Sequence, residues 1–253
     1  MPSWFERFDD DLWVQRKDRA AESEFLVKAL RLRRGSRVLD APCGEGGISV
    51  ELARRGIDVT GVDFRDVAVA RARAAFAAER LTGRFVVGDL REIAFDGAPG
   101  SATEGGFDAA FNWYGSFGYF ATDEENLDVL RRLGGAVRRQ GLVLVDKPNR
   151  ERLLRHFAPR IEHEGVRCDS RWDAQAQRVE SAWRLLGRNA GAGAARRGAA
   201  GRAARSSIRM FTPAQFRDLF DAAGLDVVRF WGRWDGSTWS RRSSRSIVVG
   251  RRR

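Results

Sequence analysis

The chain has 253 residues, 43% of them hydrophobic, enough for one well-buried domain but cramped for two. It carries a formal charge of +11 and two cysteines, Cys43 and Cys168, which leaves neither a disulfide framework nor a cysteine metal cluster. No apolar run approaches the ~20 residues of a membrane span, and the acidic, aromatic start "MPSWFERFDDDLW" is unlike a signal peptide, so a cytoplasmic protein is expected.

In chain order, residues 1–35 are read as a helical N-terminal lid rich in aromatics (Trp4, Phe5, Phe8, Trp13). Residues 36–150 alternate short apolar runs with helical patterns, the mark of a parallel sheet with crossover helices. The expected strands are "RVLDA", "DVTGVDF", "GRFVVGD", "FDAAFNW" and "GLVLVDK". The intervening helices are "ISVELARRG", "DVAVARARAAFAAER" and "TDEENLDVLRRLGGAVRR". The last opens with Thr122 and Glu125 in capping-box spacing. Residues 151–209 form an insertion on the acceptor side, with a helix in "RERLLRHFAPRI", a hairpin turning near Asp173 to Gln177, and an Ala/Gly/Arg low-complexity loop over 188–205. Residues 210–253 give a helix with Thr212 as N-cap, Pro213 at N1, Gln215 at N3 and Gly224 to stop it, then two strands. The expected architecture is α/β: a Rossmann-like, doubly wound, seven-stranded mostly parallel sheet with a C-terminal antiparallel strand pair and a β-hairpin insertion.

Ligands of such sheets bind at the carboxyl ends of the strands, near the topological switch point. The loop there reads Asp40-Ala41-Pro42-Cys43-Gly44-Glu45-Gly46-Gly47. Its glycines let a ligand approach the main chain closely, and the helix that follows offers unpaired N–H groups. The dinucleotide fingerprint fails because Ser49 stands where its third glycine belongs. Asp40 would repel a diphosphate but welcome an α-ammonium group, which favours an amino-acid-bearing ligand. Asp63, 19 residues after Gly44, has nearly the spacing at which a carboxylate accepts from ribose hydroxyls. Asp89 ends the third strand, where it can accept from an adenine amine beside Leu90. Asn112 brings a group of aromatic side chains to the same rim.

Taken in order, "VLDAPCGEGG", "VTGVDFRDVAVARAR", "FVVGDLRE", "FDAAFNWYGSFGYF", "GLVLVDKPN" and "RMFTPAQFRDLFDAAGLDVV" resemble a class I S-adenosylmethionine-dependent methyltransferase of the small-molecule type. The resemblance implies S-adenosyl-L-methionine as cofactor, with no metal. It implies that Asp40, Gly44 and Gly46 hold the methionine moiety, Asp63 the ribose, Asp89 the adenine and Asn112 the methionine side. Ala41, Cys43, Phe64, Leu90 and Trp113 would lie alongside as further cofactor-binding residues. The sequence departs from the family at Pro42, where glycine is usual, at Arg65, where serine is usual, and at Gln140.

Methyl transfer needs a base only for some acceptors, and His156 and His163 are the candidates, since an imidazole titrates near neutrality, with Tyr119, Glu124 and Asp146 as weaker options. The implied function is methyl transfer to an oxygen or nitrogen of a small molecule. An RNA methyltransferase that uses the basic loop and tail is the second reading, so nucleic acid is a possible partner. Only three of the 45 basic residues are lysines, a bias that looks like GC-rich coding and not like selection for phosphate contacts. The missing Pro-Pro after Asn112 further lowers an adenine-N6 activity. A non-catalytic cofactor-binding protein is a third reading, and an NAD-dependent oxidoreductase is disfavoured by Ser49 and Asp40.

Overall fold

A computed structural model describes residues 19–92, 106–163, 166–186 and 204–253. The expected N-terminal lid before Arg19 and most of the low-complexity loop lie outside them. The elements divide into two units, one of Asp18–Arg152 with Phe211–Arg253, the other taking in Leu153–Met210.

The larger unit begins with α1 (Arg19–Ala29) and continues β1 (Arg37–Asp40), α2 (Gly47–Arg54), β2 (Asp58–Asp63), α3 (Asp66–Ala78) and β3 (Arg84–Val87). It goes on through β4 (Phe107–Asn112), α4 (Asp123–Ala136) and β5 (Val137–Pro148) to α5 (Arg150–Arg155), within which the division between the units falls. In the smaller unit β6 (Arg160–His163), β7 (Val166–Asp173), β8 (Arg178–Leu185) and β9 (Ala204–Arg209) form one antiparallel sheet in that order. The chain then adds α6 (Pro213–Ala222), β10 (Leu225–Trp231) and β11 (Arg245–Arg252) to the larger unit.

The seven strands of the larger sheet run β10-β11-β5-β4-β1-β2-β3. The strand order reverses between β1 and β4, which pair in parallel with Leu39 opposite Ala110. β11 is antiparallel to both β5 and β10. The expected seven-stranded sheet and closing antiparallel strand are therefore present. Alternation along each strand feeds two cores, as a sheet covered on both faces requires. Val38, Val59, Phe111, Leu144 and Ile247 pack on the side of α1, α2 and α3. Leu39, Val62, Val143, Val145 and Val248 pack with Leu130, Phe216 and Phe220 of α4 and α6.

Both expected capping boxes form, Thr122 with Glu125 and Thr212 with Gln215, and Pro213 opens α6. One boundary differs. The helical pattern runs on to Arg139, but α4 stops at Ala136 and β5 begins at Val137. Val137 is buried opposite Phe107, and Arg138 reaches Asp108 at 2.8 Å, so strand pairing overrides helix periodicity there. In the smaller unit the hairpin β7–β8 turns after Asp173 as expected. It gains β6, from a stretch read as helix, and β9, at the end of the loop.

Candidate functional site

The loop after β1 is tied to its neighbouring strands by main-chain bonds. Ala41 N–H donates to Phe111 of β4 at 3.0 Å, and Cys43 N–H donates to Val62 of β2 at 2.8 Å. Gly44 and Gly46 have φ of 53° and 75°, the left-handed region that glycine enters without penalty. A Cβ on Gly46 would also sit 3.0 Å from that of Ala72. The Ala41–Pro42 peptide bond is cis.

Gly46 caps α2, whose first-turn N–H groups have no intrahelical partner and form the positive end of the helix. Arg19, the first residue of α1, lies on that end, for a Cβ at Gly47 would come within 2.5 Å of its guanidinium. A guanidinium and a helix N-terminus repel each other unless an anion lies between them. The pair is therefore suited to a carboxylate.

Asp40 is 3% exposed and accepts from the Ser49 hydroxyl at 2.6 Å. Burial pushes its carboxyl up to about 7, and the charge of Asp63 adds to the rise while the Ser49 bond opposes it. Ser49 thus holds the acid of the loop. Asp63, 5% exposed, takes the Gly44 N–H on one carboxylate oxygen at 2.9 Å and the Arg65 N–H on the other at 3.0 Å. Arg65, the departure from the family pattern, lies 3.7 Å from the same carboxylate. Phe64, next to it, is exposed and Leu90 is buried. Asp89 is held by Arg91 at 2.6 Å, and that hydrogen bond keeps its carboxyl below the ordinary value.

At the end of β4, Asn112 donates its amide N–H to the Ala41 carbonyl at 2.9 Å. Its Oδ1 is buried with no hydrogen-bond partner among the described residues. A buried orphan acceptor is costly, and beside the glycine loop it is placed to receive a donor from a ligand. Trp113 stacks on Trp234 at 5.7 Å and on Phe25 of α1 at 6.1 Å. Tyr114 has a left-handed φ of 57°. Its hydroxyl donates to the buried carboxylate of Glu22, and its N–H donates to Asp146 at 3.1 Å. Burial, followed by the Glu22 hydrogen bond, drives the Tyr114 phenol well above its ordinary value.

Asp40, Ala41, Cys43, Gly44, Asp63 and Asn112 are thus joined around one loop by direct bonds or through its main chain. Asp89 and Leu90 follow β3, which pairs with β2 as far as Asp63 opposite Val87. His156 is exposed in the turn after α5, and His163 ends β6, both in the smaller unit. Arg19, Glu22 and Arg245 are not found by sequence reasoning, because each acts through contacts far away in the chain; Asp146, a weaker base candidate, instead pairs with Arg245. Cys43 is buried, and burial raises its thiol far above its ordinary value. In the native protein at about pH 8 it should therefore resist iodoacetamide, and react only after unfolding. Mass spectrometry of the alkylated chain checks this, and rapid native labelling at Cys43 would refute it.

The family model of a methyltransferase domain matches residues 38–141, from the first strand through the start of the fifth. Over those residues the chain carries a methyltransferase domain. Its fold matches that of an S-adenosylmethionine-dependent methyltransferase from Clostridium acetobutylicum with a TM-score of 0.74 at 12% identity, over 98% of this chain and 97% of that one. The chain is similar to the putative methyltransferase YqeM of Bacillus subtilis, 28% identical over 114 residues, which are 44% of this chain and 41% of that protein. It is 30% identical to human glycine N-methyltransferase over 146 residues, 54% of this chain and 50% of that protein. The chain so spans about half the length, or less, of these curated relatives. Its fold matches that of the CcbJ methyltransferase from Streptomyces caelestis with a TM-score of 0.75 at 18% identity, over 97% of this chain and 99% of that one.

Proposed function

We propose that this protein transfers the methyl group of S-adenosylmethionine to an oxygen or nitrogen of a small molecule, in the cytoplasm. One observation carries the reading: the loop pairs a buried acid and an unpartnered acceptor, Asp40 and Asn112 Oδ1, with a cation on a helix N-terminus, Arg19 on α2. That set complements an α-amino-acid zwitterion, whereas a dinucleotide has no ammonium group to set against Asp40. Glycine N-methyltransferase, a relative by sequence, acts by its name on a small amine, which supports an acceptor of that size. Two free, buried cysteines fit a reducing compartment. Among the described residues, no helix is long and apolar enough to cross a membrane.

The residues fit the cofactor as follows. Asp40 and Asn112 receive the ammonium, Arg19 and the α2 N-terminus the carboxylate, and Asp63 the ribose. Asp89, Leu90 and Phe64 take the adenine, with Ala41, Cys43, Gly44, Gly46 and Trp113 forming the walls. Bound there, S-adenosylmethionine supplies an electrophilic methyl group on a sulfonium. The protein's part is to bind, align and exclude water, and alignment alone contributes several kcal/mol, up to ~7–11 in model reactions. The stacked Trp113 and Trp234 close the rim beside Asn112 against water. His156 and His163 remain the proposed bases for an acceptor that must lose a proton.

For the RNA reading, the tail arginines bear on the basic surface. Arg245 pairs with Asp146, Arg252 donates to the Gly135 and Val137 carbonyls, and Arg253 pairs with Asp221 and Asp226. These charges are used within the fold, and no specific observation favours RNA.

A pH dependence follows from Asp40. Its folded pKa of about 7 lies above the unfolded value of about 3.9. Between those two values the folded state holds a proton that the unfolded state has released. The contribution to stability is therefore full below about pH 4 and is lost as pH rises through about 7, at up to ~1.4 kcal/mol per pH unit. Subtracting the urea stability curve of Asp40→Asn from that of the wild type, between pH 5 and 8, isolates this slope, and a flat difference would refute it. Because an ammonium ligand favours ionised Asp40, S-adenosylhomocysteine should bind more tightly at pH 8 than at pH 5.5.

The activity itself is tested with S-adenosylmethionine labelled in its methyl group, incubated with the full chain and pools of amino- and hydroxyl-bearing metabolites. Label transferred to a small molecule supports the proposal. Label transferred only to added RNA, or to nothing despite cofactor binding, would contradict it.

A further inference from the structure

Beside the C-terminal half of α1 the sheet face holds a cavity of about 350 Å³, within the range of small-molecule sites. It is separate from the glycine loop. β11 and β10 lie beyond β5, on the far side of β4 from β1. Leu142, which lines the cavity, is three residues before Val145, the partner of Asn112, roughly 10 Å back along the strand.

Four cations surround the cavity: Lys28, Arg31, Arg229 and Arg251. Its remaining lining includes Val249 and the indole of Trp231, which Phe25 holds edge-on at 5.4 Å. No carboxylate lines it among the described residues. Lys28 is neutralised by Glu24 at 2.6 Å, and Arg229 donates to the neighbouring Val228 carbonyl at 2.8 Å. Arg31 and Arg251 make no ion pair among the described residues. The protein commonly pairs its arginines elsewhere, as in Arg54 with Glu79, Arg131 with Glu124, and Arg138 with Asp108. Clustered like charges in a small concavity raise the local potential and attract an anion.

The backbone departs from regularity at the same place. β10 shifts register between Val227 and Arg229. As a result the consecutive residues Val228 and Arg229 both line the cavity, where regular alternation would put them on opposite faces. Arg31 takes the left-handed cap position after α1, with φ of 55° and the Leu32 N–H returning to the Val27 carbonyl at 2.9 Å, which fixes its backbone beside the cavity.

We infer that this cavity binds a small organic anion, its flat apolar body against Trp231 and its carboxylate or phosphate between Arg31 and Arg251, as a second ligand site. Guanidinium groups offer paired donors matched to either head group, and the indole offers a stacking face.

The test is calorimetric titration of the full chain with 1-naphthyl phosphate, 1-naphthoate and inorganic phosphate, with and without saturating S-adenosylhomocysteine. The expected result is saturable binding of a naphthyl ligand with Kd on the order of 1 mM or tighter, unchanged by S-adenosylhomocysteine. The tighter of the two naphthyl ligands identifies the head group. Inorganic phosphate should bind at least about tenfold more weakly, and Arg251→Gln should weaken naphthyl binding by about tenfold or more. Arg31→Gln, at an exposed position, serves if Arg251→Gln does not fold. Absence of saturable naphthyl binding, displacement by S-adenosylhomocysteine, equal binding of inorganic phosphate, or indifference to the arginine substitutions would each overturn the inference. So would steeply salt-dependent binding of a short RNA that abolishes or replaces naphthyl binding. The outcome does not depend on methyl transfer, so it fails or stands apart from the proposed activity.

Discussion

Asp146→Ala is expected to lower the unfolding free energy by about 3–5 kcal/mol, the cost of breaking a buried ion pair from one side. Asp146 has no exposure. One of its carboxylate oxygens accepts from Arg245 Nε at 2.8 Å, and the other accepts from the Arg245 guanidinium and from the Tyr114 N–H. Arg245 is itself mostly buried and lies over the Trp234 ring at 5.4 Å. Removing the carboxylate leaves a guanidinium without its counterion and a main-chain donor without its acceptor. The loop after β4 loses an anchor at the same time, for Gly115 N–H also bonds to the Asp146 carbonyl. Urea denaturation measures the loss. The double variant Asp146→Leu, Arg245→Met should be markedly less destabilised than Asp146→Ala, because no charge is then left unpaired. A loss under about 1 kcal/mol in the single variant, the range of an exposed pair, would show that solvent reaches this bridge.

Asp63→Ala should weaken binding of S-adenosylhomocysteine by about 1–3 kcal/mol. Two causes act together. The ribose loses a charged acceptor, and the loop loses the bonds from Gly44 and Arg65 that fix its shape. The conservative Asp63→Asn keeps one acceptor and turns a donor towards one of those N–H groups, so it should fall between wild type and alanine. Calorimetry on variants shown by thermal melting to be folded separates binding from stability. Unchanged affinity in folded Asp63→Ala would remove Asp63 from the site.

Much of the frame is legible in the sequence because it depends on neighbours in the chain. The apolar runs at Val38, Val59 and Val143, the glycines after Asp40, and the cap pairs Thr122/Glu125 and Thr212/Gln215 each act within a few residues. The end of α4 is not legible, since Val137 and Arg138 answer to Phe107 and Asp108 on another strand. The same limit hides parts of the site. Ser49 reads only as a missing glycine until its hydroxyl is found on Asp40. Arg19 and Glu22 read as two charges in the expected helical lid until α1 packs on Gly47 and Tyr114. Asn112 is recognisable from its motif, but its unpartnered oxygen exists only in three dimensions.

The central claim is that the glycine loop takes an amino-acid-bearing cofactor and not a dinucleotide. Parallel calorimetric titrations of the full chain with S-adenosylhomocysteine and with NADH test it most directly. The account predicts saturable one-to-one binding of S-adenosylhomocysteine and none of NADH at the loop. Saturable binding of NADH with no binding of S-adenosylhomocysteine would contradict it.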